Sequence, residues 1–279
     1  MKFLTGCLAL LLLFAQPAAA VDLPAGATVK KNIAYGADRD QRFDVYLPAN
    51  PQNAPVLFMV HGGGWKRGDK DARGVVDNKV ARWLPKGIIF VTVNYRMMPE
   101  QKPLVQAQDV AAALAKVQEL APGWGGDPDN MILMGHSAGA HLVTLITMAP
   151  EIARNAGARH WKGTVSLDSG AMNVPAIMNK RHLGLYDDAF GDDPAEWEAV
   201  SPYHRVKGPT LPVFAICRKR GDLSCSANQE LAKKANGLGG QVEVLPMALT
   251  HGEINMELGK PGAYTDRVEA FMRSLGWKV

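Results

Sequence analysis

The chain has 279 residues, 47% hydrophobic and 21% charged, which suits one large domain with a buried core and excludes disorder, a fibre or a membrane bundle. Its formal net charge of +4 comes from interspersed charges of both signs, without the basic block or aromatic–basic interleaving of a nucleic-acid surface. The one dense patch, Arg218-Lys219-Arg220, reads as a solvated loop, with attraction of an anionic substrate as the alternative.

Met1-Lys2, the apolar run Phe3–Phe14 and the small residues Ala18-Ala19-Ala20 form the pattern of a secretory signal peptide cut after Ala20. The apolar run is too short to span a bilayer, which takes about 20 apolar residues, and the completeness of the pattern favours a leader over a buried N-terminal helix. Residues 1–20 are therefore set aside, and 21–279 are expected to form one domain, periplasmic or secreted, with no stable membrane insertion once the leader is gone. Two cysteines then remain, Cys217 and Cys225. An oxidising compartment permits them to pair, and the bridge would brace the loop between them.

Beyond the leader, β-branched and apolar runs predict strands at Arg42–Leu47, Pro55–His61, Ile88–Tyr95, Asn130–Gly135, Gly163–Leu167, Pro212–Cys217 and Gln241–Pro246. The runs Val56–Val60 and Ile88–Val93 are apolar on both faces, as central parallel strands require. Helical patterns fall at Ala107–Leu120, Ala138–Met148, Ala227–Ala235 and Ala263–Leu275. Strands alternating with helices predict a mostly parallel sheet covered on both faces, with the earliest strands free to pair antiparallel at one edge. From Met172 to Val206 the alternation breaks, and an insertion over about 171–208 is expected to form a lid or pocket wall.

Gly135-His136-Ser137-Ala138-Gly139 follows the apolar run Met131–Met134 and opens the helix at Ala138. A tight strand-to-helix turn of this kind holds a serine in a strained conformation with its hydroxyl exposed above the sheet. A five-residue match alone arises by chance in roughly one chain in ten, so the second signal matters. His61-Gly62-Gly63-Gly64-Trp65 directly follows a predicted strand, and glycines let backbone N–H groups approach a developing oxyanion. Gly63, Gly64 and Ala138 are the candidate oxyanion-hole donors, and His61 is read as structural. The third signal is order: nucleophile, then acid, then base. Asp222 follows the strand Pro212–Cys217, and His251 follows Gln241–Pro246. The expected triad is Ser137, Asp222 and His251, with Asp168, after Gly163–Leu167, as the rival acid. His136 and His141 lack the loop position of a base, and Glu253 stands too close to His251 in sequence to partner it. No histidine spacing suggests a metal site, and no cofactor is implied.

The motifs from Tyr35-Gly36 through Asp44-Val45-Tyr46-Leu47-Pro48, His61–Trp65 with Gly68-Asp69-Lys70, Asn94-Tyr95-Arg96, Pro99-Glu100, Gly126-Asp127-Pro128 and Gly135–Gly139 resemble a branch of the α/β-hydrolase superfamily. That branch contains small bacterial feruloyl-esterase-like and acetylesterase-like enzymes, near the hormone-sensitive-lipase and kynurenine-formamidase relatives. The resemblance implies the α/β-hydrolase fold, with an eight-stranded, mostly parallel sheet, helices on both faces and a small lid-like insertion. It also implies structural roles for Asp69, Arg96, Glu100 and Asp127. The expected activity is hydrolysis of a short-chain or small aryl carboxylic ester through an acyl-enzyme, with Trp65 and Met172 as candidate pocket residues. Amide chemistry on a small substrate such as an N-formyl aryl compound would use the same machinery. A non-catalytic binding protein on this fold would be expected to have lost the nucleophile or the base. The expected partner is a small-molecule ester, and the oligomeric state is not readable from these residues.

Overall fold

The structure, a computed structural model, describes residues 21–219 and 223–279; the leader assigned to 1–20 lies outside them. In chain order the elements are β1 (Thr28–Ala34), β2 (Arg42–Leu47), β3 (Ala54–Val60), α1 (Arg73–Trp83), β4 (Ile89–Val93), α2 (Pro103–Leu120), β5 (Gly126–His136), α3 (Ala138–Met148), α4 (Pro150–Asn155) and β6 (Gly163–Leu167). The insertion follows as four short helices: α5 (Val174–Met178), α6 (Gly184–Phe190), α7 (Pro194–Ala199) and α8 (Pro202–Arg205). The chain then runs through β7 (Val213–Arg218), α9 (Ser224–Gly237), β8 (Val242–Met247), α10 (His251–Met256) and α11 (Ala263–Ser274).

The strands form one eight-stranded sheet in the order β1-β2-β4-β3-β5-β6-β7-β8. β2 pairs antiparallel with both β1 and β4, and the pairs from β4–β3 to β7–β8 are parallel, so the antiparallel edge expected of the earliest strands is present. Successive side chains of β3 point to opposite faces. Val56, Phe58 and Val60 join an apolar cluster with α2 and α3, while Leu57 and Met59 join a second with α1, α10 and α11. Each such fully buried side chain contributes about 1.5–3 kcal/mol. This two-sided burial is why the central strands read as unbroken apolar runs.

Besides α4 and the insertion helices α5–α8, three elements exceed the sequence expectation. β1 carries Lys30, Lys31 and Asn32, the polar composition of a protected edge strand, so it gave no apolar signal. α1 intersperses five polar or charged residues with its apolar ones, and it buries Val75, Val76, Lys79, Val80 and Trp83. His251, expected in a loop, is the first residue of α10. Thr250 caps that helix by accepting from the Glu253 N–H, and the Glu253 carboxylate accepts from the Thr250 N–H, a reciprocal capping box.

Candidate active site

The centre of the site is the turn from β5 into α3. Ser137 sits there with φ 55° and ψ −118°, a left-handed conformation that costs a non-glycine residue about 1–3 kcal/mol. The turn persists because the chain around it is packed too closely to relax. A Cβ on Gly135 would lie 2.4 Å from the Gly139 carbonyl oxygen, and one on Gly139 would lie 2.3 Å from that of Val60. The Ser137 N–H donates to the Leu167 carbonyl at 2.9 Å, stitching the turn to β6. The eleven residues of α3 are all buried, so the helix that opens at Ala138 is locked in the core.

His251 reaches this serine from the end of β8. The Ser137 hydroxyl lies 3.0 Å from His251 Nε2, and His251 Nδ1 lies 2.7 Å from Asp168 Oδ2. A carboxylate can only accept, so Nδ1 carries the proton and Nε2 is left to accept from Ser137. The carboxylate on His251 is thus Asp168 in place of the expected Asp222, which lies outside the described residues. The physical reason is the number of donors gathered at the end of β6. Asp168 accepts from Ser224 Oγ at 2.7 Å and from the Arg218 N–H at 2.9 Å, and the Arg218 guanidinium lies 2.9 Å away. Burial works against its charge, but the hydrogen bonds from His251, Ser224 and the Arg218 N–H outweigh it and hold the carboxyl below the usual range. Like Ser137, Asp168 has a left-handed backbone, with φ 53°.

The glycine-rich loop after β3 lies directly against the nucleophile. A Cβ on Gly62 would be 2.8 Å from the Ser137 Cβ and 2.7 Å from the His136 carbonyl oxygen. Gly63, at φ 118°, turns so tightly that a Cβ would fall 1.9 Å from the Arg67 carbonyl oxygen. The loop therefore brings Gly63 and Gly64 to the same end of the sheet as Ala138, whose N–H has no partner within its own helix because it begins the first turn.

Trp65 is corrected from pocket wall to anchor of this loop. It is 3% exposed, and its indole N–H donates to His141 Nδ1 at 3.2 Å. Its carbonyl accepts from Gln106 Nε2 at 2.8 Å and the Met98 N–H at 2.9 Å. Those contacts hold another strained backbone, φ 60°. Met172 is corrected as well: it is fully buried in a separate apolar cluster with Met148, Val206, Val213 and Leu231. The insertion instead brings up the half-buried Tyr186, backed by the buried Phe190. Their stacked rings lie against Trp65 with centroids 6.0 and 5.0 Å from it, and the Tyr186 hydroxyl is 3.7 Å from where a Cβ on Gly170 would sit.

Three further histidines, His61, His136 and His141, are structural. His61 stacks on Tyr95 at 4.6 Å and is fully enclosed. His136 packs 4.5 Å from the His251 ring and donates Nε2–H to the His251 carbonyl at 2.9 Å. Burial, then repulsion from His251, pushes its pKa down to about 3. His141 is pushed down to about 4 by burial and donates Nε2–H to the Val200 carbonyl at 2.7 Å. His136 was legible only as the variable residue before the nucleophile; its grip on the base was not. A second unforeseen group is Lys79, fully enclosed and pushed down to about 7 by burial. It donates to the Asn255 carbonyl at 2.7 Å, while Asn78 and Tyr264 donate to those of Met256 and Ile254. The C-terminal turn of the helix carrying His251 is thereby tied down by three side chains.

The expected disulfide is formed: Cys217 and Cys225 are joined with their Cα atoms 5.0 Å apart, and closing so short a loop contributes about 2–3 kcal/mol. Asp69 and Asp127 accept from the N–H groups of Asp71 and Asp129, and Arg96 grips Asp109 with two nitrogens, so none of these three enters the chemistry. Among the described residues no group of His, Cys, Asp and Glu could hold a metal ion.

An eight-stranded sheet with a serine elbow after β5 and a histidine after β8 defines the class, an α/β-hydrolase. Comparison with known proteins agrees. A family model described as BD-FAE matches residues 43–179. The chain is 27% identical over 252 residues to an isoprenylcysteine alpha-carbonyl methylesterase of Arabidopsis thaliana, covering 82% of this chain and 58% of that protein. It is 28% identical over 216 residues to esterase LipQ of Mycobacterium tuberculosis, covering 72% and 51%. The chain spans about half the length of these curated relatives. Among solved structures it resembles esterase B from Lactobacillus rhamnosis (TM-score 0.73, 20% identity, 92% of this chain and 87% of that one). It also resembles a carbohydrate esterase from gut microbiota (TM-score 0.76, 18% identity, 90% and 97%). The fold is that of an α/β-hydrolase, and the proteins to which the chain is similar are named as esterases.

Proposed function

We propose that the protein is a serine carboxylesterase acting on short-chain or small aryl carboxylic esters through an acyl-enzyme. The observation that carries this reading is the continuous relay from Ser137 Oγ through His251 to Asp168, with contacts of 3.0 and 2.7 Å. Ser137 attacks the ester carbonyl as its proton passes to His251 Nε2. Asp168 stabilises the resulting imidazolium, and backbone N–H groups of Gly63, Gly64 and Ala138 receive the oxyanion, each worth about 100- to 1,000-fold in rate. The imidazolium then protonates the departing alcohol. Water, activated by the same histidine, releases the acid and restores Ser137. The names of the relatives, an isoprenylcysteine alpha-carbonyl methylesterase and an esterase, support the reaction class.

Export is part of the proposal. It is supported by the leader pattern of residues 1–20, and a disulfide between the two remaining cysteines suits an oxidising compartment.

The test is hydrolysis of p-nitrophenyl esters of increasing acyl length by the mature chain beside Ser137→Ala. Activity that falls with acyl length and vanishes in the variant is the expected result. A folded wild type inactive on every ester, yet active on small formyl anilides, would move the reading to an amidase.

A further inference from the structure

The loop joining β7 to α9 is closed by the Cys217–Cys225 bridge, and both ends of that loop hold Asp168. Arg218, next to the first half-cystine, gives its N–H to Oδ1 at 2.9 Å and sets its guanidinium 2.9 Å from Oδ2. Ser224, next to the second, is buried and donates its hydroxyl to Oδ1 at 2.7 Å. One turn into α9, Asn228 donates to the carbonyls of Ser224 and Ser169, both at 2.8 Å. The start of α9 is thus fastened to the residue that follows Asp168. A carboxylate's terminal torsion is broad and weakly determined by its own rotamer preference. Two donors on Oδ1 settle it, so that Oδ2 faces His251 Nδ1.

We propose that Ser224 and the Cys217–Cys225 bridge act together as a positioning element for Asp168, the bridge holding Ser224 where its hydroxyl orients the carboxylate toward His251. The proposal rests on the reading of Asp168 as the acid of the triad. A disulfide that only stabilised the fold would affect the fraction folded and leave the turnover of folded molecules alone. A positioning bridge affects turnover, and it does so through Ser224. Its removal and the loss of the Ser224 hydroxyl therefore damage the same contact, and the two losses do not multiply.

The experiment measures kcat and KM on p-nitrophenyl acetate, and the rate at which a fluorophosphonate labels Ser137. It uses wild type, Ser224→Ala, Ser224→Thr, Cys225→Ser and the Ser224→Ala/Cys225→Ser double variant, with thermal melts to establish that each is folded. Cys225→Ser opens the bridge and leaves Cys217 in the sheet. The two single losses are expected to lower kcat and the labelling rate about tenfold with KM within twofold, and Ser224→Thr to recover most of the activity. The double variant is expected to be no slower than the worse single one. Folded Ser224→Ala or Cys225→Ser with wild-type kcat and labelling rate would overturn the proposal, as would losses that multiply in the double variant. A wild type that is labelled but hydrolyses no ester would refute the esterase reading alone, and the labelling rates would then decide this one.

Discussion

Replacing Asp168 by asparagine keeps the shape of the side chain and removes its charge, which makes it the sharpest probe of the site. The carboxylate meets donors only: His251 Nδ1–H, the Ser224 hydroxyl and the Arg218 N–H, with the Arg218 guanidinium beside them. An amide has one accepting oxygen. If it faces Ser224 and Arg218, its NH2 confronts His251 and favours the tautomer with the proton on Nε2, which cannot take the proton of Ser137. If it flips, its NH2 opposes the donors on the other side. Loss of the correct tautomer costs up to about 10,000-fold in kcat, so a fall of 1,000- to 10,000-fold, or about 4–5.5 kcal/mol of transition-state stabilisation, is expected. KM should change far less, because Asp168 is buried and reaches the reaction only through His251. The folded state should also lose about 1–3 kcal/mol, from the donor left unmatched in the core. The assay is kcat on p-nitrophenyl acetate, corrected for active sites by phosphonate titration, with Asp222→Asn prepared in parallel. Asp222→Asn should stay within about threefold of wild type, since another carboxylate already occupies His251 Nδ1. An Asp168→Asn enzyme that keeps more than a tenth of its turnover, beside an Asp222→Asn enzyme that loses a hundredfold, would refute the assignment.

Gly62→Ala should abolish turnover without preventing expression, because its Cβ would sit 2.8 Å from that of Ser137. Gly64→Ala meets no neighbour and only strains a φ of 63°, so it should cost about 1–2 kcal/mol and retain activity; equal kcat in the two variants would contradict the loop's placement. Stability should fall as pH drops from 6.5 toward 4. The unfolded chain then takes up a proton on His141 that the folded chain, with that group held at about 4, does not; this is worth roughly 3 kcal/mol, and His136 adds in the same direction. Asp168, held below the usual carboxylate range, contributes stability above about pH 4 that is lost as the pH falls through its own lower value. Urea midpoints against pH for wild type and His141→Gln would show it; a wild-type midpoint flat down to pH 4.5 would contradict the burial argument. Lys79→Met should leave the Gly74 and Asn255 carbonyls without their donor and lower stability by about 1–3 kcal/mol, read as a drop in Tm of several degrees.

The fold could be read from residues because its central strands are buried on both faces and must therefore be continuously apolar. The Ser137 elbow was legible for a different reason: only glycines tolerate backbone at 2.3–2.4 Å from the position of a Cβ. His251 stood alone after the last strand. The acid did not, because both Asp168 and Asp222 follow sheet strands and nothing in one dimension shows which loop carries donors. Ser224 and Arg218 come together on Asp168 across 56 and 50 residues. The pocket residues failed for a related reason. Trp65 and Met172 are apolar in an active-site loop and in the insertion, yet apolar character alone does not distinguish a lining side chain from one the core has consumed. The polar burial of Lys79 had no sequence signature, since one lysine among polar neighbours on α1 looks like a solvated face.

The nucleophile and the acid leave from neighbouring strands. His136 pairs with Leu167, the Ser137 N–H bonds the Leu167 carbonyl, and the Asp168 N–H bonds that of Ile216 at 2.8 Å. The four short helices of the insertion begin only after that spacing has been set by the sheet ladder. Whatever evolution or an engineer does to α5–α8, the distance between serine and carboxylate is held elsewhere. The segment works as a vestibule held by fixtures that include the Val200 carbonyl on His141, the Tyr186 and Phe190 rings on Trp65, the Lys102–Glu196 and Lys66–Asp188 ion pairs and the buried Val174, Ile177 and Val206 side chains. A graft that kept those fixtures could change what enters the site and leave the chemistry in place.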